Sequence, residues 1–126
     1  MNSFNDLKPQ LVWKYFAEIL EIPRPSKNEE KILKYLVEFA QKEKLEYKND
    51  NAGNIVICKK ASGGMSNRPV VVLQSHVDMV CEKNSSVKHN FMSDAIKAKI
   101  ENGWVKAEGT TLGADCGIGI AAQMAV

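Results

Sequence analysis

Three side chains in this sequence have the types and the placement to do chemistry together: His76, Asp78 and Asp115. An imidazole nitrogen and a carboxylate oxygen are the ligand types that catalytic zinc takes when a water must keep one position open. His76 and Asp115 lie far apart in the chain, so only the fold can join them. Asp115 sits in a glycine-flanked turn, Gly113-Ala114-Asp115-Cys116-Gly117, at the mouth of an apolar segment. There the backbone can pack closely and N–H groups can steady a carboxylate. Asp78 reads as a partner of His76 rather than as a ligand. Two residues along a strand point to the same side, so its carboxylate can accept the second imidazole N–H, fixing the tautomer and raising ligand basicity.

Ordinary alternatives stand beside each of these readings. A histidine at a strand end is commonly a hydrogen-bonded structural residue, and an aspartate before a helix is commonly a cap. His89, between Lys88 and Asn90, reads as solvated. Cys81 and Cys116 could support a thiol or redox function, the weaker reading, since free cysteines are often buried and inert and nothing in the sequence around Cys81 clearly lowers its pKa. Trp13 and Trp104 read as packing residues.

The elements that must carry these groups follow from the apolar pattern. Val70-Val71-Val72-Leu73 has no polar alternation and reads as a strand buried on both faces. His76 and Asp78 then fall at the carboxyl edge of a sheet, where ligands collect in α/β proteins. Residues 7–20 repeat apolar side chains at helical spacing, with Pro9 in the first turn. Ile22-Pro23-Arg24-Pro25 breaks that helix. Ser26-Lys27-Asn28-Glu29 has the form of a capping box opening a second helix to about Lys44.

Short strands are expected at 45–48 and 55–58 around an Asn/Asp/Gly turn. A Gly- and Ser-rich loop follows at 61–68, and a long surface loop at 79–94. Residues 96–100 alternate cleanly, Asn102-Gly103 is a strong hairpin signal, and 104–107 returns. Residues 118–126 are small and apolar, as in a helix buried against a sheet. The pattern is that of an α/β protein.

With 126 residues there is enough chain for one domain with a core. Net charge is +2, and Lys42, Lys44 and Lys48 are interleaved with Glu43 and Glu46, so no phosphate-binding stripe forms and nucleic-acid binding is not expected. No apolar stretch nears the roughly 20 residues that span a bilayer, and the first residues lack the form of a secretory signal. Three cysteines without a Cys-x-x-Cys pair fit a reducing, cytoplasmic setting. The last residues are apolar and helical in pattern with no C-cap, so the chain is expected to be the front part of a longer polypeptide.

Longer motifs narrow the reading. Gln74-Ser75-His76-Val77-Asp78-Met79-Val80-Cys81-Glu82-Lys83-Asn84 resembles the first metal-binding segment of the aminoacyl-histidine dipeptidases. These enzymes, also called Xaa-His dipeptidases or peptidase D, are dizinc metallopeptidases related to carboxypeptidase G and aminoacylase. Ala107-Glu108-Gly109-Thr110-Thr111-Leu112-Gly113-Ala114-Asp115 is similar to the second segment, and Ile22-Pro23-Arg24-Pro25-Ser26 with Glu29 resembles the amino-terminal signature.

The resemblance implies a three-layer, zinc-peptidase-like catalytic domain, a mixed β-sheet flanked by helices, of which residues 1–126 would be the amino-terminal part. The carboxyl-terminal half of that domain and a lid domain would lie outside the chain. It implies two divalent metals, zinc first and manganese or cobalt as alternatives. His76 would be a terminal ligand, Asp115 the bridging carboxylate and Asp78 the residue that orients His76. A cis peptide would follow Asp115, and Cys116 departs from the family, which generally has Asn there. The general-base glutamate and the remaining ligands would lie beyond residue 126.

The implied reaction is hydrolysis of dipeptides, Xaa-His and broader, carnosine-like ones included, by a full-length protein for which a homodimer is the expected assembly. The 126-residue chain alone would be inactive. The competing expectation is a truncated, non-catalytic fragment acting at most as an interaction or metal-binding module.

Overall fold

A computed structural model describes residues 4–126. Helix α1 runs Gln10–Leu20, α2 Glu30–Lys42 and α3 Ala114–Met124. Four short strands, β1 Glu46–Asn49, β2 Ile55–Cys58, β3 Ala98–Glu101 and β4 Trp104–Ala107, form two separate antiparallel pairs. The expected α/β class is present, as are the two helices, the two hairpins and the final helix in that order, but not the strand expected between the hairpins at 70–73.

Helix α1 forms because Phe16, Ile19 and Leu20 recur on one face, and all three are buried. Pro9 is its N-cap, in extended conformation, one position before the first turn. The buried stripe of α2 is Ile32, Leu36 and Ala40. Among the described residues helix α3 packs chiefly against α1 rather than against a sheet, which corrects the expected environment. Its Ile120, Ala121 and Met124 join Phe16, Ile19 and Leu20, together with Met79 and Ile96, in one core. Small residues allow this close helix–helix approach where a sheet was expected.

Each hairpin is closed by its turn chemistry. The Asp50 carboxylate accepts from the N–H groups of Ala52 and Asn54 and from the Asn54 side chain, closing β1 onto β2. Between β3 and β4, Asn102 (φ 53°) and Gly103 (φ 79°) both take positive φ, the requirement of a type I′ turn.

The apolar run 70–73 departs from expectation. It pairs with no strand among the described residues, and Val70, Val71 and Val72 are 90%, 79% and 82% exposed. A parallel-sheet strand is stable only when neighbours satisfy its backbone and helices cover its faces. None of the described elements does either here.

The segment after it is better anchored than a surface loop. Met79 is buried, and its N–H donates to Arg24 O at 3.0 Å. Thr111 N–H donates to Glu82 O, Asn84 N–H to Gly109 O, and the Thr111 hydroxyl to Val80 O. Residues 79–84 are thereby laced to residues 109–111, and this lacing brings the two candidate segments side by side.

Candidate metal centre

His76 stands between two carboxylates. Its Nδ1 is 3.0 Å from Oδ1 of Asp78 and 3.1 Å from the Asp78 carbonyl oxygen, and its Nε2 is 2.9 Å from Oδ1 of Asp115. The two carboxylates hold the imidazole above its ordinary pKa. The Asp115 hydrogen bond acts most, partial burial opposes it, and the Asp78 hydrogen bond adds to it. Asp78 is held below the usual carboxylate range, first by the Ser26 hydroxyl and further by His76, with partial burial opposing.

The geometry sets the imidazole's protons. Both atoms facing Nδ1 are acceptors, so Nδ1 carries a proton. A neutral ring would then turn the Nε2 lone pair toward a carboxylate oxygen at 2.9 Å. Two acceptors tolerate that distance only when they share a cation, either a proton or a metal ion bound by both. Nitrogen and carboxylate oxygen are suitable ligands for zinc, and the Cys116 thiol lies in the same group, with all three ligand atoms within 4.8 Å of one another. The donor types therefore fit a divalent metal. Asp115 is 95% exposed, open to whatever completes the site.

Asp115 (φ −93°, ψ 104°) and Cys116 (φ −111°, ψ 33°) are non-helical, so regular winding of α3 starts after them. The Asp115–Cys116 peptide is cis, as the family resemblance implied.

Two residues of the site were misread or missed. Ser26 does not cap α2. Its hydroxyl donates to Asp78 Oδ2 at 2.5 Å, while Glu29 is the N-cap residue and its carboxylate accepts from Lys27 N–H. Lys27 takes a left-handed φ of 69°, and the turn it makes leaves Ser26 outside the helix.

Arg24 is the second. It is 1% exposed, the one buried charged residue among the described residues. Its Nη1 donates to Val77 O at 3.1 Å and Asp78 O at 3.0 Å, and its Nη2 to Gly113 O at 2.5 Å. Burial lowers its pKa, with Asp78 acting in the opposite sense. The sequence signals were a charged residue between two helix-breaking prolines and its place in the segment that resembles the family's amino-terminal signature. All three acceptors are main-chain carbonyls, so no carboxylate partner could be sought in the sequence.

The thiols and His89 take quieter roles. Burial pushes the Cys81 thiol up, which disfavours the thiolate that redox chemistry requires. His89 is not simply solvated: it packs edge-on against Phe91, with ring centroids 4.5 Å apart.

The chain as a whole is similar to known proteins. Cytosol non-specific dipeptidase of Escherichia coli (strain K12) is 48% identical over all 126 residues, and the match takes in 26% of that protein. The crystal structure of aminoacylhistidine dipeptidase from Vibrio alginolyticus superposes with a TM-score of 0.95 at 44% identity, covering 98% of this chain and 25% of that one. In sequence and in fold, this chain resembles a portion of an aminoacyl-histidine dipeptidase. The uncharacterized protein YqjE of Bacillus subtilis (strain 168) is 30% identical over 117 residues, 86% of this chain and 28% of that protein. No protein-family model matches. The chain thus spans about a quarter of the length of the relatives it matches.

Proposed function

We propose that this chain is the amino-terminal part of the catalytic domain of a zinc-dependent dipeptidase, cytoplasmic and homodimeric when full length. Its substrates would be dipeptides, Xaa-His and broader carnosine-like ones. The observation that carries this reading is His76 held between Asp78 and Asp115, on a chain 48% identical to a protein named as a dipeptidase.

The geometry supports the following roles. Asp78 accepts the Nδ1 proton and so keeps Nε2 as the atom presented to a metal. Ser26 occupies the other Asp78 oxygen, which fixes that carboxylate toward His76. Asp115 offers one oxygen beside Nε2 and leaves its second for another cation. When bound, a metal pair would polarise the scissile carbonyl and lower the pKa of a bound water toward ~7. The general-base glutamate and the further ligands are assigned to residues beyond this chain. A catalytic zinc needs at least three protein ligands, and the resemblance gives this chain two, His76 and Asp115; the Cys116 thiol lies near them but stands where the family generally has Asn. The isolated chain is therefore expected to be inactive, the one respect in which the non-catalytic fragment reading applies.

The test is turnover of a Xaa-His dipeptide with zinc or manganese, by the 126-residue chain and by the full-length protein. Turnover only by the full-length protein, abolished by His76→Ala, is the expected result. Turnover by the short chain would overturn the shared-site reading, and none by the long one would overturn the function.

A further inference from the structure

We propose that Arg24 is a positioning residue whose guanidinium sets the spacing between the His76 and Asp115 segments, with Ser26 holding Asp78 in the same clamp; this rests on the metal-centre reading above.

A buried guanidinium is costly unless its donors are satisfied, and it commonly finds a carboxylate. Arg24 is 1% exposed and instead spends its donors on three main-chain carbonyls of two segments. Nη1 takes Val77 and Asp78, the two residues following His76. Nη2 takes Gly113, two residues before Asp115 and 89 residues from Arg24. The guanidinium is a rigid planar fork, so fixing its two nitrogens on these carbonyls fixes the separation of the segments that carry the candidate ligands.

The surroundings are cut to admit that fork. A Cβ built at Gly113 or at Gly117 would lie 2.7 Å from Nη2, closer than side-chain atoms pack. From the main chain of Arg24, the carbonyl oxygen accepts from Met79 N–H. Two residues on, Ser26 donates to Asp78 Oδ2. One tripeptide, Arg24-Pro25-Ser26, therefore grips the backbone and the carboxylate behind His76 and the backbone before Asp115. Outer partners of this kind typically change metal affinity by about 10–100-fold when removed.

A merely structural arginine would lower thermal stability without altering how the folded protein holds metal. The experiment therefore measures zinc affinity by competition with a chromogenic chelator, and the visible spectrum of the cobalt-loaded form, on the full-length protein. Arg24→Lys keeps the charge but replaces the fork with a point donor. Gly117→Ala keeps Arg24 and crowds Nη2. Ser26→Ala removes the exposed hydroxyl.

Each variant is expected to lose about 10-fold or more in zinc affinity, with shifted cobalt bands, in the folded protein. If Arg24→Lys does not fold, Gly117→Ala and Ser26→Ala decide. Unchanged affinity and spectrum in the folded variants would overturn the clamp. His76→Ala is the control: unchanged zinc affinity there would overturn the metal-centre reading itself, while loss there with none in the clamp variants would overturn the clamp alone.

Discussion

Nε2 of His76 lies 2.9 Å from Oδ1 of Asp115, although 39 residues of chain separate them. The intervening chain reaches out through the β3–β4 hairpin and returns, and backbone hydrogen bonds between residues 79–84 and 109–111 close the loop. The task proposed for a histidine and an aspartate brought together in this way is a shared one.

If that task is holding a metal, ligands and supporting residues separate by magnitude. His76→Ala or Asp115→Ala in the full-length protein is expected to lose more zinc affinity than the roughly 10–100-fold that follows loss of an outer partner, and Asp78→Asn to fall within that range. Equilibrium dialysis against zinc reads both. An Asp78→Asn protein binding as poorly as His76→Ala would instead make Asp78 a direct ligand.

Tyr35 provides a pH-dependent term far from the candidate centre. Its hydroxyl donates to Glu18 Oε2 at 2.7 Å, and burial first, then that hydrogen bond, pushes the phenol well above its ordinary range. A raised folded-state pKa favours the neutral phenol in the folded protein. Its contribution is whole below the ordinary tyrosine value of about 10 and is lost as pH rises beyond it. Urea midpoints measured from pH 8 to 11 should fall more steeply for the wild type than for Tyr35→Phe. Parallel curves would show that Tyr35 contributes nothing to the decline.

The β3–β4 turn isolates a backbone effect. Nothing lies within 4 Å of a Cβ built at Gly103, so Gly103→Ala meets no clash, only the left-handed φ of 79°. The expected cost is about 1 kcal/mol of stability, read from chemical denaturation. A neutral result would mean that the hairpin shifts to another turn type without loss.

The run 70–73 is a liability in the 126-residue chain by itself. Three exposed valines and a leucine without a charge among them form a β-prone apolar stretch. Val71→Lys with Val72→Glu is expected to reduce light scattering on concentration while leaving the melting temperature of the soluble chain unchanged. Scattering as strong as before would place the self-association elsewhere.

Much of this was legible in local sequence because its causes are local. Turn chemistry at Asn102-Gly103 and apolar spacing in residues 10–20 and 30–42 act over a few residues, and the corresponding elements formed. The pairing of His76 with Asp78 was expected from strand alternation; the contact is present, although residues 76–78 form no strand. The capping box misled because Ser26 had two possible partners. A motif names the near one, the first turn of α2, while the fold supplied Asp78, 52 residues away.

By its residue types the sequence determined the hairpins and the helices, and with the family resemblance it pointed to His76 and Asp115 as candidate ligands. Only the tertiary structure decided what lies between and behind them: Arg24 on three carbonyls, Ser26 on Asp78, α3 against α1 rather than a sheet, and residues 70–73 left uncovered. The physical reason is the same in each case. Main-chain carbonyls carry no sequence signature, and burial depends on which distant surfaces are present to cover a segment, so neither can be read from the segment itself.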